Sequence, residues 1–268
     1  IEELILDEKN DIYAIAGNCL FKEARENKEL IAVACYESAL SSMTSDDESI
    51  YLLDQSSNLY VNSWGEVLNK INENNENFEQ LFNKYSSEEI ESQVLEIVSC
   101  NGNLYSSSKS SVFLWKDNEF SKIADCSGSI VDLSCYGDKL YCNSDDKIAQ
   151  ITPEYQLLDA KLPENTKAIA KNHEGVWWAV GASIYRSPDA KLWTKRQSLN
   201  IDLHAVAFTK DGARGVSVGD KGSIFISDDK GQSWRSIPNT QRLTLRDLCL
   251  SSDGKKGVAV GDGGAIMK

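Results

Sequence analysis

The pentapeptide Gly215-Val-Ser217-Val-Gly219 has the spacing of a nucleophile elbow, the strand-to-helix turn that presents a serine hydroxyl to an acyl carbon. That chemistry needs a helix after the turn. Here the two glycines bracket a β-rich run, no helical pattern follows, and a second copy of the segment carries Ala259 in place of Ser217. Ser217 is therefore read as a strand residue. Metal chemistry is equally bare. The chain has two histidines, His173 and His204, with no HExxH and no paired-cysteine spacing. Asp228, Asp229 and Asp253 stand in turn-type sequences and are read as turn formers rather than calcium ligands. No phosphate-cradling or dinucleotide glycine pattern is present. No catalytic residue, metal or cofactor is expected.

Binding chemistry remains. Lys167, His204 and Arg246 each stand where a strand begins, in three successive copies of a repeat, and Asp220 and Asp262 occupy neighbouring turns. Cations gathered at one level near an axis make a pocket for an anion or a carboxylate. The same side chains equally form solvated loops or pair with nearby acids such as Asp202 and Asp247.

The repeat that must position them is clearest at a period of 42. Gly215-Val-Ser-Val-Gly219-Asp220 returns as Gly257-Val-Ala-Val-Gly261-Asp262, and Asp211-Gly212 as Asp253-Gly254. Each copy reads as strand, polar turn, strand, tight turn, strand, with a fourth strand such as Trp193–Arg196 or Arg235–Ile237 in most. Seven copies fit, their first strands beginning at Leu4, Ser42, Leu95, Ile130, Lys167, Val206 and Leu245. Their start positions align as Glu3, Ser41, Leu95, Val131, Lys167, His204 and Arg246. A short sheet cannot bury both its faces alone, so such units stack radially. The expected fold is all-β: a seven-bladed β-propeller of four-stranded antiparallel blades, one domain over 1–268. The last copy lacks its fourth strand, so either the ring closes imperfectly or the missing strand lies in further chain, as in a module of a larger protein. Residues 72–93 interrupt the rhythm. Asn77 opens a capping-box pattern, and Phe78, Leu81, Phe82 and Tyr85 recur at helical spacing, which predicts a short helical insertion over Phe78–Tyr85 between blades 2 and 3.

Ser227-Asp-Asp229-Lys-Gly231-Gln-Ser-Trp234 follows the pattern S-x-D-x-G-x-x-W, and Ser187-Pro-Asp189-Ala-Lys-Leu-Trp193 is a shorter copy without the glycine. In this spacing the Ser and Asp side chains accept turn amides, the glycine takes a positive φ, and the Trp folds back as an apolar plug. The segment resembles the Asp-box (BNR-type) repeat. With the preceding GVSVGDKGSIFI run the chain is similar to photosystem II assembly factor-like propellers, firmly over 203–268, more loosely over 167–202, and by strand rhythm alone before that. The resemblance implies a propeller, a structural role on outer hairpins for Ser227, Asp229, Gly231, Trp234, Ser187, Asp189 and Trp193, and a function in holding partners during assembly of a complex. Asp-box propellers also include sialidases and other glycoside hydrolases, so the motif implies a fold before a chemistry. A sialidase-like site would need several converging arginines. The chain has seven, at 25, 186, 196, 214, 235, 242 and 246, and Arg214 and Arg235 fall at turn or outer-strand positions. The expected function is a non-catalytic scaffold for protein–protein interaction. The alternative is a carbohydrate-active enzyme or lectin on the same fold, which an outward-facing Trp177 or Trp178 would favour.

Charge is uneven. The first 134 residues hold 25 acids and 9 bases, the rest 16 and 19, for a net −13. That balance argues against nucleic-acid binding, which needs a basic footprint, and suits either a solvated face or a partner with a basic surface. No apolar run reaches membrane-span length. The seven cysteines form no CxxC pair and lie in strand-like runs. They are read as small apolar fillers in a reducing compartment. The lack of an N-x-Ser/Thr sequon agrees with a cytoplasmic location.

Overall fold

A computed structural model describes residues 3–6, 11–23, 30–67, 83–86, 96–117, 119–126, 128–144, 147–152, 156–172, 174–209, 211–240, 242–251 and 254–268. The chain is a seven-bladed β-propeller of antiparallel blades, each a meander whose strands pair in sequence order. Blade 1 is β1 (Glu3–Leu6), β2 (Ile12–Ala16), β3 (Cys19–Glu23) and β4 (Leu30–Cys35). Blade 2 is β5 (Leu40–Ser45), β6 (Ser49–Asp54), β7 (Asn58–Ser63) and β8 (Asn83–Ser86). Blade 3 is β9 (Glu96–Cys100), β10 (Asn103–Ser107), β11 (Ser111–Lys116) and β12 (Glu119–Asp125). Blade 4 is β13 (Ile130–Tyr136), β14 (Lys139–Ser144), β15 (Lys147–Gln150) and β16 (Gln156–Lys161). Blade 5 is β17 (Thr166–Lys171), β18 (Trp177–Gly181), β19 (Ser183–Ser187) and β20 (Thr194–Ser198). Blade 6 is β21 (Leu203–Phe208), β22 (Gly215–Gly219), β23 (Ile224–Ser227) and β24 (Arg235–Ile237). Blade 7 has three strands among the described residues: β25 (Leu245–Leu250), β26 (Gly257–Gly261) and β27 (Ala265–Met267).

The chain divides into two compact units, one of Glu2–Ser144 with Ile151–Pro153, the other of Asp145–Gln150 with Glu154–Lys268. In the first, Tyr13, Ile15, Leu20, Leu40, Ile50 and Leu52 form one buried cluster, and Leu53, Leu59, Ile97, Leu104 and Phe113 another. In the second, Trp178, Val180, Leu203, Phe225 and Trp234 pack together, as do Val218, Leu245, Leu248 and Ala259. The second strand of blade 5 is buried on both faces, with every residue of β18 buried. This is why Trp177–Gly181 reads as a continuous apolar run rather than as an alternating one.

The insertion departs from the sequence reading. Residues 83–85, placed in the predicted helix, are strand: β8 pairs antiparallel with β7 and sets Tyr85 opposite Leu59. The helical spacing of Tyr85 with Phe82 and Phe78 lost to the open edge of blade 2, whose backbone donors and acceptors a fourth strand satisfies. Tyr85 also meets Trp115 edge-on, ring centroids 5.3 Å apart. The remainder of that expected helix lies outside the described residues. A helical turn occurs instead at 64–67, where the Ser63 hydroxyl accepts the Glu66 amide at 3.3 Å as an N-cap.

The cysteines depart too. Six of the seven are paired: Cys19–Cys35, Cys100–Cys135 and Cys126–Cys142. They are not the free apolar fillers expected. Cys19 and Cys35 are direct partners in the β3–β4 register, while the other two bridges join blades 3 and 4. Cys249 alone remains a thiol, its pKa pushed up to about 12 by burial.

Candidate functional site

The first strands of blades 5, 6 and 7 each carry a β-bulge near their start. The register jumps between Thr166 and Ala168, between Leu203 and Ala205, and between Leu245 and Asp247. The residues stepped over are Lys167, His204 and Arg246. A bulge re-aims the extra side chain out of the pleat, so the three cations share one structural position.

What stands beside each cation is set one strand later. Gly219 and Gly261 end β22 and β26, and a Cβ at either would stand about 2 Å from the carbonyl oxygen of Asp202 or Thr244. The next residue's amide then donates to that same carbonyl at 2.9 Å, Asp220 to Asp202 and Asp262 to Thr244. A 3-10 turn follows each glycine. The turn aims the aspartate back at the bulge. His204 Nε2 lies 2.8 Å from Asp220 Oδ1. Arg246 grips Asp262 with Nε and Nη2, both at 3.0 Å. His204 holds the Asp220 carboxyl below the usual carboxylate range, and Arg246 does the same for Asp262. The pairing is thus with Asp220 and Asp262, not with Asp202 and Asp247. In blade 5 Gly181 makes the same approach to the Asn165 carbonyl, but Ala182 stands where Asp220 and Asp262 do. Lys167 is exposed and makes no hydrogen bond or ion pair among the described residues. The result is one bare cation beside a His–Asp hydrogen bond and a half-exposed Arg–Asp ion pair, a mixed polar surface rather than an anion hole. Exposed pairs of this kind are weak, so a partner's carboxylate or peptide group can exchange into them.

The turn after β23 is tied by its own side chains. Ser227 Oγ accepts the Gly231 amide at 2.7 Å and donates to Asp229. Asp229 accepts the Ser233 amide at 2.9 Å and the Ser233 hydroxyl at 2.6 Å. These bonds hold Asp229 at a pKa of about 2. Gly231 sits at φ 78° with its Cα against Trp178, where a Cβ would come within 2.3 Å of the ring. The Trp234 indole N–H donates to the Gly231 carbonyl at 3.1 Å. In the shorter copy Asp189 accepts the amides of Lys191 and Leu192, Ser187 donates to Asp189, Ala190 takes φ 63°, and the buried Trp193 N–H has no hydrogen-bond partner among the described residues. Ser217 is buried, its hydroxyl donating to the Ala205 carbonyl at 2.7 Å. Trp177 and Trp178 are both buried, so neither offers a sugar an open ring face. Arg214 and Arg235 converge on Asp228, at 2.7 and 2.9 Å.

Sequence reasoning missed a second cluster, in the other unit. The Glu96 carboxylate accepts the Leu133 amide at 2.9 Å, and Glu3 accepts the Met43 amide. Asp132 is held by Ser134 and by Asn143 Nδ2. Desolvation first, and the charge of Asp132 second, raise Glu96 well above the usual carboxylate range, with Glu3 adding to the effect. Desolvation also raises Asp132. The register explains the miss. Glu3 pairs with Ile15 and Glu96 with Ser107 with no bulge between, so they match Asp132, opposite Asn143, rather than the bulge residue Val131. The first-strand alignment was one residue out in blade 1, and in blade 3 it marked Leu95 rather than the next residue, Glu96; only the strand pairing reveals which position carries the carboxylates.

No family model matches the chain, and no curated protein matches it. Solved structures do. A YCF48 bound to a D1 peptide superposes with a TM-score of 0.77 at 13% identity, over 99% of this chain and 92% of that one. YCF48 from Cyanidioschyzon merolae gives 0.75 at 11%, over 98% and 92%. The WD40 β-propeller domain of Doa1 gives 0.77 at 10%, over 99% and 90%. Identities this low establish the shared seven-bladed propeller, and the fold alone.

Proposed function

We propose that this chain is a non-catalytic propeller scaffold that holds a protein partner during assembly of a larger complex. The partner docks on the strand-start face of blades 5–7, through Lys167, His204, Arg246, Asp220 and Asp262. The observation that carries this reading is the residue set at the strand-start bulge: of the five blades that carry it among the described residues, blades 5–7 place Lys167, His204 and Arg246 there, with Lys167 left bare. A polypeptide offers carboxylates, amides and carbonyls to such a mixed row. That a similarly folded YCF48 binds a D1 peptide supports a peptide ligand. The Ser227–Trp234 and Ser187–Trp193 turns are Asp-boxes with a structural role. The acidic first half, where Asp46, Asp47 and Glu48 line an open pocket, suits a partner with a basic surface. No helix among the described residues is long and apolar enough to cross a membrane. Three disulfides favour an oxidising compartment over the cytoplasmic one.

The test is a cross-linked pull-down with wild type and a Lys167→Glu/His204→Glu/Arg246→Glu variant, each with its melting curve. A stoichiometric partner lost in the variant at unchanged melting temperature supports the reading. A partner retained by the variant moves the interface elsewhere, and no partner for either bait overturns the scaffold.

A further inference from the structure

A first strand pairs on one side only, so every second amide along it needs an acceptor from elsewhere. Met43, Ile97 and Leu133 hold one such place in β5, β9 and β13, opposite Leu52, Ser106 and Cys142 of the second strands. Their amides turn to a side chain of the preceding blade. Glu3 accepts the Met43 amide, Ser42 the Ile97 amide at 3.1 Å, and Glu96 the Leu133 amide at 2.9 Å. Glu3, Ser42 and Glu96 share a register position themselves, opposite Ile15, Leu53 and Ser107. In blade 7 the corresponding amide is that of Leu248. Asp247, the residue before it, accepts it at 2.8 Å.

Val206 is the counterpart in β21, opposite Ser217, and Ala205 before it stands opposite Val218. The preceding blade places Ala168 at the acceptor position, opposite Val180. Alanine thus occupies both places from which an acceptor comes, across the junction and next in the chain. Among the described residues no side chain caps the Val206 amide, and β21 pairs with β22 alone. Ala168 and Val206 pack against the same cluster of Trp178, Val180 and Phe225, so both belong to one junction. Both are half-buried, whereas Met43, Ile97 and Leu133 are buried. The wall is less covered at the donor that lacks its acceptor.

We propose that the Val206 amide is a subsite for a carboxylate of the docked partner, an Asp or Glu side chain that supplies from outside the acceptor Ala168 does not. The inference rests on the scaffold reading for the source of the carboxylate and adds the atom that receives it. Ala168 lacks the Cγ and carboxylate of Glu3 and Glu96, which leaves room for a carboxylate from elsewhere. A backbone N–H gives a carboxylate a stronger, charge-assisted hydrogen bond than it gives a neutral oxygen. Lys167, the residue before Ala168, is exposed and bare among the described residues. Its ammonium favours an anion over a neutral amide at the same spot.

The probe is N-acetyl-glutamate α-amide, whose only charge is the side-chain carboxylate, titrated into the nitrogen-15-labelled chain. N-acetyl-glutamine α-amide is the neutral control. The Val206 amide proton is expected to move downfield with the glutamate probe, saturating at about millimolar concentration, and to stay in place with glutamine. Ala168→Ser supplies a hydroxyl as Ser42 does in blade 2. It is expected to move the Val206 proton downfield in the free chain and to weaken the probe about tenfold, at an unchanged melting temperature. Lys167→Gln is expected to weaken the probe at low salt, with the difference shrinking as salt is raised. A Val206 proton that ignores glutamate, moves equally with glutamine, or responds as fully in Ala168→Ser overturns the proposal. A partner captured by the chain while Val206 stays silent to the probe overturns the subsite and leaves the scaffold standing. Val206 answering the probe in a chain that captures no partner supports the subsite and overturns the scaffold.

Discussion

At the junction of blades 5 and 6, three aromatic rings from Trp178, Phe208 and Trp234 lock two sheets together, and the turn that delivers Trp234 is tied by Ser227 and Asp229. At the junction of blades 3 and 4, the corresponding work falls to Cys100–Cys135, Cys126–Cys142 and the Glu96 carboxylate that caps the Leu133 amide. The first is dry packing, which weakens only when volume is lost. The second is covalent and titratable, so it answers to redox state and pH. The contrast teaches that one repeated topology leaves the choice of inter-blade adhesive open. The part of the chain with the plainest repeat signature is the part that uses packing.

The largest effect expected is at the aromatic junction. Trp178→Ala removes a fully buried ring and is expected to destabilise by about 3–5 kcal/mol, read as faster hydrogen exchange across residues 166–237 with the first half unchanged. Slower exchange there than in the first half would show that packing is not what holds blades 5 and 6.

Reduction is the converse. Each bridge is expected to contribute about 2–4 kcal/mol, so dithiothreitol should accelerate exchange over residues 11–144 and leave blades 5–7 as they were. Alkylation in denaturant without reductant should label one cysteine, Cys249, and with reductant all seven. Seven labels without reductant would restore the expectation of free thiols and remove half the contrast.

Seven blades were legible because turn glycines and β-rich runs are local signals. The first-strand starts read from the sequence fall within three residues of those observed in every blade. The bulge position of Lys167, His204 and Arg246 was legible for the same reason, since Gly219 and Gly261 are fixed by the approach of a carbonyl. What pairs across blades was not. Cys100 and Cys135 lie 35 residues apart, and nothing in either flank encodes the other. Glu96 and Asp132 meet only once the register is known, and the fourth strand of blade 2 overrode a helical spacing that looked sound within its own window.

A smaller effect separates the two ionic devices by the sign of their pH response. Glu96 is raised by burial and by Asp132, with Glu3 facing it as well, so the fold prefers it protonated. Its stability contribution is full below the ordinary value of 4.5 and erodes as pH rises above it. Glu96→Gln keeps an acceptor for the Leu133 amide and removes the charge. It should raise the urea midpoint of the first half at pH 7 and leave it unchanged at pH 4. A lower midpoint at pH 7 would mean that the ionised carboxylate is what the junction needs.

Asp229 titrates the other way, and its effect is the smallest because the carboxyl is exposed. Bonds from the Ser233 hydroxyl and amide, and from Ser227, hold its pKa at about 2 against an ordinary 3.8. The charged form is the one the fold prefers, so its contribution is complete above pH 3.8 and fades as pH falls toward 2. Asp229→Asn retains one acceptor oxygen for the Ser233 amide but cannot titrate. Wild type and variant should therefore converge in exchange rate at Ser233 and Trp234 as pH is lowered through that window, and diverge above it. Curves that stay parallel throughout would mean that the turn is held by Trp234 in its seat and not by the aspartate, which would make the blade 5–6 junction wholly a matter of packing.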